Sequence, residues 1–116
     1  MNECIFCQIV KRKITAKIVY EDDAIISFHD VEPSFDTHVL ILPKKHIISL
    51  NHLVSRDINL IGRLTIALSK VAKTLGLQSG YKVLINTGAL SGQTVFHLHY
   101  HLFAGLCKKD SGLLVG

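Results

Sequence analysis

Residues 97–103, HLHYHLF, set three imidazoles at every second position, His97, His99 and His101, with apolar or aromatic residues between them. A His-x-His pair is a frequent zinc-binding arrangement. A neutral imidazole is also a nucleophile, and its neighbours can position protons and charge around the group it attacks. A histidine-lined surface turned to solvent would do no chemistry at all. The preceding turn, Leu90-Ser91-Gly92-Gln93-Thr94, is small, polar and Gly-containing, and it can offer backbone N–H groups and a hydroxyl to a bound anion. A pure metal site has no use for such a turn. Near the N-terminus, Cys4-Ile5-Phe6-Cys7 supplies a second cluster of chemical groups, two thiols spaced for a metal or redox pair.

The elements that must hold these groups can be traced from hydrophobic period. Val95 to Phe103 alternates as a strand does, with His97, His99 and His101 on one face and Phe96, Leu98, Tyr100 and Leu102 on the other. Alternate rings are then about 6.6 Å apart, so the three cannot all act on one atom, although neighbours can bracket one substrate group. Lys17–Tyr20 and Ala24–Phe28 form an expected hairpin around Glu21-Asp22-Asp23. Thr37–Leu42 and Tyr81–Asn86, rich in β-branched and apolar residues and bounded by Pro43 and by Thr87-Gly88, are two further expected strands. Between them Ile58, Ile61, Leu64, Leu68, Val71, Ala72 and Leu75 recur at helical spacing. Ser55 is positioned to cap this helix and Gly76 to end it, while Asp57 and Lys73 suit its dipole. This order of elements predicts an α+β fold with a largely antiparallel sheet.

Composition bounds the rest. The 116 residues fit one domain, 1–116, and 48% hydrophobic with 19% charged residues is the balance of a packed globule. The net charge of +4 comes from scattered groups, Lys11-Arg12-Lys13, Lys44-Lys45 and Lys108-Lys109, a mild bias toward anions without the stripe that nucleic acid requires. No run approaches the roughly 18 apolar residues of a membrane span, and MNECIFCQIV lacks a basic region followed by a long apolar one. With an odd count of three cysteines, a reducing, cytoplasmic setting is expected.

GQTVFHLHYHLFAG resembles the signature of the histidine triad family, His-φ-His-φ-His-φ-φ, and its Hint branch in particular. The likeness runs in order from about Cys4 to Gly105, through CIFCQIV, Tyr20-Glu21-Asp22-Asp23, Phe28-His29-Asp30, Thr37-His38, Pro43-Lys44-Lys45-His46, the strand ending at Asn86 and the Gly92-Gln93 turn. Departures are Phe103-Ala104-Gly105 where Leu-Gly-Gly is common, Thr94 where serine is common, and a short tail without tryptophan. The resemblance implies a mainly antiparallel sheet of about five strands with one long and one short helix. It implies an enzyme that hydrolyses a nucleoside 5′-monophosphate, AMP-like, from an amine or acyl leaving group, such as a purine nucleoside phosphoramidate. A dinucleoside polyphosphate hydrolase and a nucleotide-binding regulatory module are the alternatives.

Residue by residue, the resemblance makes His99 the nucleophile that forms a nucleotidyl-imidazole intermediate. His99 then needs its other nitrogen held as a donor, which a main-chain carbonyl can do. His101 would contact phosphate and leaving group, protonated to stabilise developing charge. Thr94 would bind the leaving group, His38 would buttress the triad, and Asn86, Gly92 and Gln93 would lie at the phosphate. On their own, His38 reads as a structural histidine, Thr94 as the residue opening a strand and Asn86 as a turn former. Phe6, Ile9, Phe28 and Val31 match an apolar slot for the base, although each also suits a core. Asp30 matches the acceptor for the ribose hydroxyls, and an acidic residue among apolar neighbours needs a partner. In some bacterial relatives a structural zinc is held by residues corresponding to Cys4, Cys7, His46 and His97. A homodimer is implied as well, with Ser55–Leu75 and Tyr81–Asn86 at its interface. His29 and His52 are expected in solvent, and Cys107 is expected to be a small thiol, buried or exposed.

Overall fold

The computed structural model describes residues 4–107, so the Lys108-Lys109 pair lies outside the described residues. Five strands form one antiparallel sheet: β1 (Ile18–Glu21), β2 (Ile25–His29), β3 (Phe35–Pro43), β4 (Lys82–Leu84) and β5 (Tyr100–Cys107), in the order β1-β2-β3-β5-β4. A short helix, α1 (Ile5–Val10), and a long one, α2 (Ile58–Thr74), complete it. No helix among the described residues is long and apolar enough to cross a membrane.

The central strand explains the layering. Val39 to Pro43 of β3 is buried without interruption, because the pleat sends Val39 and Ile41 to one covered face and Leu40 and Leu42 to the other. On the first face α2 packs Leu64, Ala67, Leu68, Val71 and Ala72, a stripe at three- and four-residue steps, against Ile25, Val39, Ile41 and Leu102. On the second, α1 packs Phe6 and Ile9 against Ile26, Phe28, Leu40 and Leu42. His38 shares this second face through the same alternation, two residues before Leu40.

The sequence places α2 and its C-terminal end well but misassigns its start. The chain first makes a 3-10 turn at Ser55–Asp57, and Asp57 rather than Ser55 serves it. The buried Asp57 carboxylate accepts from the Val54 N–H at 3.0 Å and from Lys45 Nζ at 2.7 Å, a charge-assisted pairing that a serine hydroxyl cannot match. Ile58, counted in the apolar stripe, is 70% exposed because Leu60 and Ile61 take the packing positions in the first turn. Gly76 ends the helix with φ +73°, as its lack of a Cβ permits.

The larger correction concerns Val95 to Phe103. Sheet pairing begins only at Tyr100 and runs on to Cys107, so His97 and His99 precede the strand. Val95 to His99 bends across the end of the sheet, with Leu98 N–H bonded to Ile47 O at 2.6 Å. Leaving the ladder has a chemical consequence: in a paired strand the His97 carbonyl would face a neighbouring N–H, whereas here a ring takes it.

Candidate active site

His99 and His101 lie at a cleft of about 1160 Å³ on the α1 side of the sheet, lined also by Phe6, Ile9, Phe28, Asp30, Val31, His38 and Thr94 among others. Nine expected residues are therefore brought together. His97, Asn86, Gly92 and Gln93 are not among the lining residues. Asn86 follows β4 two residues beyond the pairing of Leu84 with His101. The buried Gln93 side chain is engaged elsewhere, accepting from Gly88 N–H at 2.8 Å and donating to the carbonyls of Ile48 and Val95 at 2.8 and 3.1 Å. It braces the turn that carries Thr94. Val31, expected in an apolar slot, is 93% exposed and forms a rim rather than a wall. Phe6, Ile9 and Phe28 are buried. His29 and His52 are exposed, as is Cys107.

Main-chain partners fix which nitrogen of each ring carries the proton. His99 Nδ1 lies 2.6 Å from the His97 carbonyl, which can only accept, so Nδ1 holds the proton and Nε2 keeps its lone pair. His38 Nδ1 accepts from the Ser34 N–H at 3.0 Å, which puts the His38 proton on Nε2. That nitrogen is 2.9 Å from His101 Nδ1 and 3.4 Å from Asp30 Oδ2. With Nδ1 of His101 accepting from His38, the His101 proton sits on Nε2. One ring thus offers a lone pair and another, 5.0 Å away between centroids, offers an N–H. Asp30 itself is held by a local turn, its Oδ1 accepting from the Glu32 N–H at 2.8 Å.

Burial favours the neutral form of His99 and His101. It lowers the His99 pKa below the ordinary value, with the bond to the His97 carbonyl and the charge of Asp30 opposing it. His101 is pushed down to about 4 by burial and then by His99 and His38. At rest the ring is a neutral donor, and an anion in the cleft would favour the charged form that the sequence reading assigns to the reaction. A pH dependence follows. Unfolded His101 binds a proton near 6.5 and folded His101 only near 4, so stability falls as pH drops through that interval, by on the order of 2–3 kcal/mol. Urea midpoints at pH 7 and pH 4.5 measure it, and His101→Gln should flatten the slope; an unchanged slope in that variant would assign the loss to other groups.

Next to the triad, Cys4, Cys7, His46 and His97 bring two thiols and two Nδ1 atoms within 4.8 Å of one another. The four sulfur–nitrogen distances are 3.3, 3.5, 3.3 and 3.6 Å. A tetrahedral metal with bonds of about 2.3 Å to sulfur and about 2.0–2.1 Å to nitrogen requires roughly 3.6 Å between such ligands. His97 Nε2 donates to Pro43 O at 2.7 Å, which leaves Nδ1 unprotonated and turned to the thiols. The donor set, its spacing and its tautomer fit a four-coordinate metal.

Ser34 and Pro43 carry no side-chain signal in the sequence, since each acts through its backbone. Their roles become visible only in the fold. Known proteins share this fold. The HIT domain family matches residues 11–106. Protein HitA of Neisseria gonorrhoeae is 43% identical over 102 residues, 88% of this chain and 95% of that protein. A HIT family hydrolase from Clostridium thermocellum superposes with a TM-score of 0.88 at 38% identity, covering 97% of this chain and 99% of that one. A histidine triad nucleotide-binding protein from Candida albicans has a TM-score of 0.79 at 34% identity, over 86% and 73% of the two chains. By sequence over nearly its whole length and by fold, this chain belongs to the HIT domain family.

Proposed function

We propose that the protein is a Hint-like hydrolase that cleaves a nucleoside 5′-monophosphate, AMP in the simplest case, from an amine or acyl leaving group through a nucleotidyl-His99 intermediate. The observation that carries this reading is the bond of His99 Nδ1 to the His97 carbonyl, which directs an unprotonated Nε2 into the cleft. Nε2 attacks phosphorus, the bond to the leaving group breaks, and His101, protonated once the anionic substrate is bound, gives a proton to the departing amine and is left as the neutral imidazole. Water then hydrolyses the phosphorus–nitrogen bond to release AMP and restore His99. Thr94 serves the leaving group, and Asn86 and the Gly92-Gln93 turn support the phosphate side. Asp30 accepts from the ribose hydroxyls, while Phe6, Ile9 and Phe28, with Val31 at the rim, flank the base.

Zinc is the metal best suited to Cys4, Cys7, His46 and His97, and with four protein ligands it would tie the N-terminal segment to the sheet. It takes no part in the reaction as proposed. Such a thiol pair suits the cytoplasm. A substrate panel tests the activity. Adenosine phosphoramidates and aminoacyl adenylates should be cleaved faster than diadenosine polyphosphates. The reverse order would favour a dinucleoside polyphosphate hydrolase, and tight nucleotide binding without turnover a regulatory module.

A homodimer belongs to the same proposal. Ile58 and Ile66 on α2, with Tyr81 and Val83 at β4, are large apolar side chains left exposed on a small chain. Light scattering at micromolar concentration should give twice the mass of one chain. A single-chain mass would remove these residues from any interface.

A further inference from the structure

Helix α1 faces two ways. Cys4 caps its N-terminus, the thiol accepting from the Cys7 N–H at 3.1 Å, and both thiols turn to His46 and His97. Phe6 and Ile9 are buried against the sheet and line the cleft. The Phe6 ring stands edge-on to His99, with centroids 5.0 Å apart and planes at 87°, and it also meets His97 at 6.0 Å and Phe28 at 5.5 Å. A helix of six residues is far below the roughly 12–15 that an isolated helix needs in water, so outside attachments set its position. Those attachments are the apolar seat of Phe6 and Ile9 and the side-chain cluster at its N-terminus.

His97 links the same two places by another route. Its ring enters the cluster through Nδ1, and its carbonyl holds the His99 proton at 2.6 Å. The cleft and the shallower depression over the cluster also share Ile5, Thr94 and Val95. Anything that fixes Cys4, Cys7 and His97 therefore fixes one wall of the cleft and the orientation of the nucleophile together.

We propose that metal at Cys4, Cys7, His46 and His97 and nucleotide in the cleft bind with positive linkage, transmitted by α1, and that Phe6 is the positioning residue that couples them. The inference rests on reading the cleft as a nucleoside monophosphate site and the cluster as a zinc site. Metal restricts α1 to the position in which Phe6 meets both His99 and the base. Nucleotide then finds its wall already ordered, and by reciprocity it tightens the metal by the same factor. About tenfold is expected, within the usual range of such couplings.

Calorimetry with AMP should give a dissociation constant about tenfold weaker for zinc-free than for zinc-loaded protein. Competition with a chromogenic chelator should give a zinc affinity raised by the same factor at saturating AMP. Phe6→Ala should keep one zinc per chain but lose the dependence of zinc affinity on AMP, and Phe6→Leu should restore part of it. Equal AMP affinity with and without zinc, together with zinc affinity unmoved by AMP, would overturn the linkage. If removing zinc unfolds the chain, the loaded protein decides: protection of zinc by AMP that persists undiminished in Phe6→Ala runs through global folding and overturns the role of Phe6. Failure of AMP to bind any form, or of the wild-type chain to take up zinc, brings the proposal down with the reading of the cleft or of the cluster respectively.

Discussion

His99→Ala should lower hydrolysis of an adenosine phosphoramidate by on the order of 10⁴- to 10⁶-fold, the scale on which removing a nucleophile disables a preorganised site. AMP should still bind, because the Asp30 carboxylate and the Phe28 wall do not depend on the His99 ring. The reason for so large an effect is that the ring supplies three things at once: a lone pair, a fixed direction, and a leaving group from phosphorus in the second step. No neighbour can replace it. His101 Nδ1 is occupied by His38, and His97 Nε2 by the Pro43 carbonyl. Rapid acid quench of the wild type should trap an adenylyl adduct on the HLHYHLF peptide, and His99→Gly should recover some turnover with added imidazole. Turnover retained in His99→Ala would defeat covalent catalysis, and its loss to chelator would pass the chemistry to a metal-bound hydroxide.

Wild-type protein should bind close to one metal per chain, and replacing both Cys4 and Cys7 by alanine should abolish that binding and lower the melting temperature by about 15 °C or more. The size follows from mass action. A metal held at a thousand times its dissociation constant contributes about 4 kcal/mol, and each kcal/mol moves the midpoint by roughly 4–8 °C in a chain near 100 residues. The sheet should survive, since the core beneath α2 includes none of the four ligands. Metal analysis and thermal melts should show His46→Ala behaving alike, while His99→Ala keeps its metal. Wild-type protein that melts at the same temperature with and without metal would end the structural role assigned to zinc.

Both predictions draw on residues that the sequence marks by type, and this separates what was legible from what was not. The stripe Leu64, Leu68, Val71 and Ala72 and the β-branched run of β3 announce their elements because burial selects side chains periodically. Cys4, Cys7, His46 and His97 were readable as ligand types, yet their meeting depends on 42- and 93-residue separations that only the sheet closes. The alternation of His97, His99 and His101 suggested one continuous strand because period alone cannot tell paired from unpaired extended chain. The Ser34 N–H and the Pro43 and His97 carbonyls left no trace, since every residue but proline carries the same N–H and every residue the same carbonyl.

The double duty of the sheet also decides how such a protein can change what it accepts. Phe28, Leu40 and His38 form the floor of the cleft on strands whose opposite faces hold up α2, so a substitution there risks a cavity or a shift costing about 2–5 kcal/mol, a large share of the roughly 5–15 kcal/mol that holds a domain folded. Val31, Glu32 and Pro33, on the loop between β2 and β3, line the same cleft while standing clear of both cores. Libraries aimed at a new base or sugar should therefore vary that loop and leave the strands alone: it is where selection can wander without first endangering the fold.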